Sequence, residues 1–189
     1  MAFLHDAPDT PEAQALYAAD VADDGYIMDL SRLWAHHPPA HDGLFALLDD
    51  VVAAGELTLR QRGILVAACA STIGDSYCAL AWGGRLASVA DPDLAVAVLS
   101  GSHDGLSPAE RAMAAWARAV ARDANATTAG DVEELRAAGW TERQIFAITV
   151  FVALRAAFST VNDALGAVPD PELRAGVPAP VRDAVTWGR

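Results

Sequence analysis

The segment from residue 57 to residue 86 places the strongest constraint on how this chain can fold. Small and apolar residues with helical propensity run through it, and Gly74 and Asp75 interrupt the run. Glycine allows a tight turn, and aspartate is a preferred N-cap for the helix that follows. The segment therefore predicts two helices joined by a turn at Gly74.

Cys78 lies in the first turn of the second predicted helix. Free backbone N–H groups and the helix dipole stabilise an anion at this position, and this lowers the pKa of a thiol. The Asp75 carboxylate opposes the effect, because a nearby like charge disfavours a thiolate. Asp75, Cys78 and Trp82 are spaced three and four residues apart, so they share one helix face. Cys78 is either a reactive thiol or a passive residue packed under Trp82.

This layout resembles the core of the carboxymuconolactone decarboxylase and alkylhydroperoxidase D-like superfamily. In the redox-active members, a Glu on the first helix precedes a Cys-x-x-Cys-x-x-x-His run that opens the second. These four positions fall here on Gly63, Asp75, Cys78 and Trp82, so one of the four functional residues is kept. A dithiol peroxidase mechanism with a Glu–His proton relay is therefore not supported.

Four other stretches carry the same resemblance, and the first of them is similar to the peroxidase-related branch. They are Met-Asp-Leu-Ser-Arg-Leu-Trp-Ala-His (28–36), Leu-Ser-Pro-Ala-Glu-Arg-Ala (106–112), Asp-Val-Glu-Glu-Leu-Arg-Ala-Ala-Gly-Trp-Thr-Glu-Arg-Gln-Ile (131–145) and Asp-Ala-Leu-Gly (163–166). The resemblance implies a single-domain, all-α bundle of many helices, and it implies homo-oligomers, from dimer to hexamer. Ser159 stands where that branch often carries an Asn.

The predicted single domain spans residues 1–189, with a family-like core over about 10–168. The remaining residues, 169–189, are rich in proline and predict a C-terminal arm, which could pack on a neighbouring subunit. The helix that starts at Thr141 and runs to about Gly166 is apolar nearly all round, so it is predicted to be the central, buried one. No stretch shows the strict alternation of a strand.

Composition excludes several classes of function. A net charge of −12 argues against nucleic acid or an anionic membrane as a partner. All 13 basic residues are arginine, which excludes Schiff-base chemistry and a lysine-bound pyridoxal cofactor. The N-terminus lacks the pattern of a signal peptide, and the longest apolar stretch is about half of the ~20 residues that span a bilayer. A cytoplasmic protein is expected.

His36, His37 and His41 flank a Pro-Pro pair, but neither cysteines nor a fixed helical spacing accompany them. They are interpreted as polar residues at a helix end and loop rather than as metal ligands. We expect neither a metal nor another cofactor.

Arg155 interrupts the most apolar predicted helix, and a buried guanidinium needs a carboxylate or an anionic ligand. It is either part of a structural ion pair or faces the Cys78 pocket, where it would pair with Asp75 or hold a substrate carboxylate. Tyr77 and Trp82 could wall that pocket, although aromatic residues near helix starts are more often core residues.

Cys69 lies deep in the first helix of the segment and is interpreted as a small buried hydrophobe. The alternative is a resolving thiol for Cys78, which requires Cα atoms within about 7 Å of each other.

Three functions remain open. The first is an alkylhydroperoxidase-like antioxidant oxidoreductase, in which Cys78 attacks a peroxide and Cys69 or an external thiol resolves the sulfenic acid. The second is a non-redox enzyme acting on a small carboxylated molecule, as the lactone decarboxylases do, with Arg155 binding the anion and Asp75 as acid or base. The third is a catalytically silent oligomeric binding protein.

Overall fold

The computed structural model describes residues 2–189, and within them every regular element is helical, which confirms the predicted all-α class. Eleven α-helices follow one another along these residues: α1 (Pro11–Asp23), α2 (Asp29–Trp34), α3 (Pro38–Gly55), α4 (Leu59–Ile73), α5 (Ser76–Val89), α6 (Pro92–Leu99), α7 (Pro108–Asp123), α8 (Ala129–Ala137), α9 (Glu142–Ala164), α10 (Pro171–Gly176) and α11 (Ala179–Ala184). A short 3₁₀ helix, Ala124–Ala126, separates α7 from α8.

Local sequence signals determine most of the helix ends. Thr58, Ser107 and Thr141 each form a complete capping box, in which the side chain accepts from the N3 backbone and the N3 side chain accepts in return. Gly74 ends α4 with a left-handed φ of 82°, a conformation that glycine adopts without steric cost. The predicted turn between α4 and α5 is thus confirmed.

The centre of the bundle is α4. Its residues 63–70 are all buried, and α4 contacts α5, α6, α7 and α9. Small side chains on α4 allow this close approach on several sides. Gly63 is the clearest case, because a Cβ atom there would lie 3.1 Å from the Cβ of Leu86 on α5. The position where the resemblance expects a Glu is therefore filled by a helix–helix contact.

The prediction that α9 is the central, buried helix holds for one face of the helix only. Its inner face packs on α3, α4 and α7, but Phe146 is 71% exposed and Val161 is 36% exposed on its outer face. By length and composition α9 could cross a bilayer, a test that the core helix of a globular fold also passes. Apolarity alone does not say which face of a helix meets the core, and here α9 carries apolar residues on both faces.

The proline-rich C-terminal residues do not extend away from the fold. They form α10 and α11, which pack on α5 and α6 of the same chain. Val177 and Val181 lie against Gly84 and Gly83, and a Cβ on Gly83 would lie 2.8 Å from Val181 Cγ1. The Gly-Gly pair of α5 thus receives the C-terminal segment, which covers part of the helix that carries Cys78.

Arg118 links α7 to α4 and α6 by hydrogen bonds. Its Nη1 donates to the carbonyl oxygen of Ala68 at 3.3 Å and to Ser71 Oγ at 3.0 Å, both near the end of α4. Its Nη2 donates to the carbonyl oxygen of Val98, near the end of α6. A cation at helix C-termini is favoured by the carbonyl dipoles there.

Candidate functional site

Asp75 and Cys78 form the start of α5 and are both buried. Asp75 is the N-cap residue, and its Oδ1 accepts from the backbone N–H of Cys78 at 2.9 Å. The second carboxylate oxygen, Oδ2, is buried without a hydrogen-bond partner. The capping role inferred from the sequence is confirmed, and it leaves one acceptor oxygen free inside the fold.

Arg155 reaches this helix start from α9. Its Nη2 donates to Cys78 Sγ at 3.3 Å across 77 positions of sequence. The guanidinium carbon lies 5.3 Å from the ring centre of Trp82 and 5.1 Å from that of Phe158, so aromatic faces enclose the cation. Only 4% of Arg155 is exposed.

No carboxylate compensates the charge of Arg155. Within residues 2–189 it forms no salt bridge, and its Nε is buried without a hydrogen-bond partner. The ion pair with Asp75 considered from the sequence is thus not formed here. Burying a guanidinium whose single hydrogen-bond partner is a sulfur costs free energy, because its remaining donors are left unsatisfied.

The thiol of Cys78 responds to opposing influences. Burial raises its pKa to about 12, Arg155 is the largest influence that lowers the pKa, and Asp75 raises it. The buried Ser159 hydroxyl also lowers the pKa of Cys78. The lowered pKa expected from the helix start is not found, because removal of water from around the thiol has the larger effect.

A cavity of about 250 Å³ opens onto this group. Its walls combine aromatic residues with the functional side chains, and they include Phe45, Tyr77, Cys78, Trp82, Arg155 and Phe158. Tyr77 contributes its ring, since its hydroxyl donates to Asp170 Oδ2 beside the C-terminal segment. Both burial and the Asp170 charge raise the pKa of Tyr77.

His41 is a cavity residue that the sequence interpretation missed. The structure places it in the first turns of α3, where it lines the cavity, with its ring centre 4.4 Å from that of Phe45. The signal was available, because Pro38-Pro39 can begin a helix and His41 and Phe45 then share a face. His36 instead contacts the carbonyl of His5. Residues 2–189 contain no group of three His, Cys, Asp or Glu side chains that could hold a metal.

Cys69 lies on α4 and is buried, and neither it nor Cys78 is in a disulfide. Burial raises the pKa of Cys69 to about 11, while the charge of Arg155 lowers it. Cys69 does not line the cavity that holds Cys78. Its role as a resolving thiol stays a prediction.

Comparison with known proteins gives matches among solved structures alone. No family model and no curated protein matches this sequence. An uncharacterized peroxidase-related protein with an alkylhydroperoxidase AhpD core, from Ralstonia eutropha JMP134, matches with a TM-score of 0.80 at 22% identity, over 91% of this chain and 94% of that one. An uncharacterized peroxidase-related protein from Silicibacter sp. TM1040 matches with a TM-score of 0.79 at 21% identity, over 90% and 93% of the two chains.

The debrominase Bmp8 is also similar, with a TM-score of 0.74 at 17% identity, over 97% of this chain and 96% of that one. A Cys-to-Ala variant of Bmp8 has been solved in complex with 2,3,4-tribromopyrrole, and it matches with a TM-score of 0.73. At such identities the likeness concerns architecture. The chain therefore has the all-α fold of the alkylhydroperoxidase AhpD core.

Proposed function

We propose that this chain is a thiol-dependent oxidoreductase that reduces organic hydroperoxides, with Cys78 as the one reacting thiol. The observation that carries the proposal is the 3.3 Å contact between Arg155 Nη2 and Cys78 Sγ at the wall of a cavity. Arg155 has no other anionic partner, and a thiolate on Cys78 would supply one. The names of the two peroxidase-related structural neighbours support the reaction class.

Asp75 supplies the base in this proposal. With a pKa of about 12, Cys78 holds little free thiolate at neutral pH, so an acceptor for its proton is needed during attack. Asp75 Oδ2 is buried, unpartnered and on the same helix turn. Asp75 and Cys78 hold one proton between them and so carry one negative charge. The positive charge of Arg155 balances it, and a group without net charge is less costly to bury.

The reaction balances without a cofactor. As Asp75 takes the thiol proton, the sulfur attacks the outer oxygen of ROOH and the O–O bond breaks. The proton then passes to the departing alkoxide, which leaves as ROH, and Cys78 becomes a sulfenic acid. One external thiol condenses with the sulfenic acid and releases water. A second thiol reduces the mixed disulfide and restores Cys78. Arg155 stabilises both the thiolate and the developing alkoxide.

A second candidate is thiol-dependent chemistry on a small halogenated aromatic compound. The aromatic walls of the cavity favour it, as does the fold shared with a debrominase. Both candidates require Cys78, so one set of variants tests them together, with cumene hydroperoxide and 2,3,4-tribromopyrrole as the two probes.

The test is the trapping of a sulfenic acid on Cys78 with dimedone, followed by mass spectrometry of the intact protein and its peptides. We expect a dimedone adduct on Cys78 in the wild type and in Cys69→Ser after treatment with cumene hydroperoxide, and none in Cys78→Ser. The Asp75→Asn variant keeps a capping oxygen but loses the base. The rate of adduct formation in this variant at pH 7 should fall at least about tenfold. Above pH 7 that rate should rise about tenfold per pH unit, because the thiolate fraction of Cys78 then sets the rate.

The absence of any adduct in wild type, together with turnover of tribromopyrrole that Cys78→Ser loses, would replace the first candidate by the second. An unreactive Cys78 towards both probes would remove both.

We also infer that the protein works in the cytoplasm as a homo-oligomer. The apolar outer face of α9, with Phe146 and Val161 exposed, supports the self-association. The acidic composition and the folded helical chain are compatible with the proposed location.

A further inference from the structure

A second cleft adjoins the Cys78 cavity and is not used by the proposed reaction. Its volume is about 370 Å³. Phe45, Trp82, Arg85 and Arg155 line both spaces, so these side chains form the wall between them. Cys78 lines the first space and does not line the second.

Three arginines from three helices meet at this second cleft: Arg62 of α4, Arg85 of α5 and Arg155 of α9. None of them forms a salt bridge with any carboxylate in the part of the chain that the structure describes. Among the described residues, Arg60, Arg136 and Arg182 do pair with carboxylates, Arg60 with Glu110 at 2.6 Å. Three uncompensated cations in one cleft are unexpected in a chain whose net charge is −12.

Unsatisfied donors point to a ligand with acceptor oxygens. The Nε atoms of Arg62 and Arg155 are both buried and lack a hydrogen-bond partner. The Arg155 residue as a whole is 4% exposed. A guanidinium presents its donors in a planar fork that matches a carboxylate. Asp49 also lines the cleft but is exposed and pairs with none of the three arginines.

The remaining walls are apolar. Leu48 and Phe151 are buried, and Phe45 and Val52 are partly buried along the same cleft. An inorganic anion would leave these surfaces in contact with water, whereas an organic acid would cover them and gain hydrophobic free energy. The ligand that fits both sets of groups has a charged head and an apolar body.

We infer that this cleft binds the carboxylate of a small organic acid with an aromatic or aliphatic body, held by Arg62, Arg85 and the Nε side of Arg155. The thiol of Cys78 takes no part in the binding, although Arg155 is shared with the proposed reaction.

The test is isothermal titration calorimetry with three probes: 2-naphthoate, its neutral analogue 2-naphthamide, and inorganic phosphate. We expect 2-naphthoate to bind and the other two to bind at least about tenfold more weakly, because each lacks one of the two features recognised. Arg62→Gln and Arg85→Gln should each weaken naphthoate binding about tenfold. Arg143→Gln is the matched control, since Arg143 is exposed on α9 and lines neither space.

Equal affinity for 2-naphthoate and 2-naphthamide would overturn the inference. It would also be overturned if the control Arg143→Gln weakened naphthoate binding as much as Arg62→Gln and Arg85→Gln do. Phosphate binding as tight as naphthoate binding would reduce the cleft to a simple anion site and overturn the proposed ligand class. Circular dichroism on each variant verifies that it is folded.

The Cys78→Ser variant separates this inference from the proposed function. It should bind 2-naphthoate with unchanged affinity while losing the sulfenic acid adduct. Loss of naphthoate binding in Cys78→Ser would contradict the inference, whereas a missing adduct in the wild type would contradict the proposed reaction alone.

Discussion

Arg118 and Arg155 are two guanidinium groups inside the same bundle, and their surroundings differ in one respect. Arg118 donates to carbonyl and hydroxyl oxygens near the ends of α4 and α6. Arg155 meets the sulfur of Cys78 and the faces of two aromatic rings. Neither forms a salt bridge within the described residues.

The difference indicates what each residue is for. The oxygens around Arg118 belong to the backbone and to short side chains, and they fix three helices relative to one another. The Nε atoms of both residues are buried without a partner, but the other donors of Arg118 have oxygen acceptors, whereas Arg155 has one hydrogen bond, to the sulfur of Cys78. The same residue type thus meets oxygens that link helices at one position, and a thiol at the wall of a cavity at the other.

Replacement of Arg155 by methionine should give the largest effect. Without the cation the pKa of Cys78 rises, and alkylation of Cys78 by iodoacetamide at pH 8 should slow at least about tenfold. The free energy of unfolding should stay within about 1 kcal/mol of wild type, because an isolated buried charge is removed. The measurements are the rate of carbamidomethylation in Cys69→Ser background and urea denaturation. An unchanged rate would contradict the role given to Arg155.

The matched change, Arg118→Met, should have the opposite pattern. Carbonyl groups near the ends of α4 and α6 lose a charged donor, and the free energy of unfolding should fall by about 2 kcal/mol. Alkylation of Cys78 should proceed at the wild-type rate in conditions where the variant is folded. If Arg118→Met slowed alkylation as much as Arg155→Met, the division between the two arginines would be wrong.

A smaller effect, on stability, is expected from replacing Asp163. Its carboxyl group is half-buried and is repelled by the negative charge of Asp75. Burial and that charge raise its pKa from 3.8 to about 6. The folded state therefore binds more protons than the unfolded state between these values, and stability falls as pH rises through this interval. Asp163→Asn should be more stable than wild type at pH 8, by roughly 0.5 kcal/mol, and should show no gain at pH 3.5. Thermal denaturation at both pH values gives the comparison, and equal gains at both would point to a cause other than titration.

Much of the fold was predictable because its signals are local. Capping boxes at Ser107 and Thr141, the proline starts of α1 and α6, and the Gly74 turn each depend on contacts within four residues. The depth of burial was less predictable. The helix α9 is more apolar than α4, yet α4 occupies the centre because its small residues admit several neighbours at once.

The candidate site was predictable in its members and less so in its properties. The sequence singled out Asp75, Cys78 and Trp82 from one helix face and Arg155 from its unusual place in an apolar helix. It missed His41, which lines the cavity from α3, and it left open whether the pKa of Cys78 is lowered or raised. Both points concern surroundings that several helices build together.

The sequence by itself determined where several helices begin, through caps and prolines, and placed a thiol and its capping carboxylate on the first turn of α5. The tertiary structure alone decided that Arg155 meets that thiol, that burial raises its pKa, and that Arg62, Arg85 and Arg155 converge on one cleft. The physical reason is the distance along the chain over which each interaction acts. Capping and turn hydrogen bonds join residues a few positions apart, so they can be identified in the sequence. Desolvation and charge act through space between segments that the packing of α4, α5 and α9 brings together.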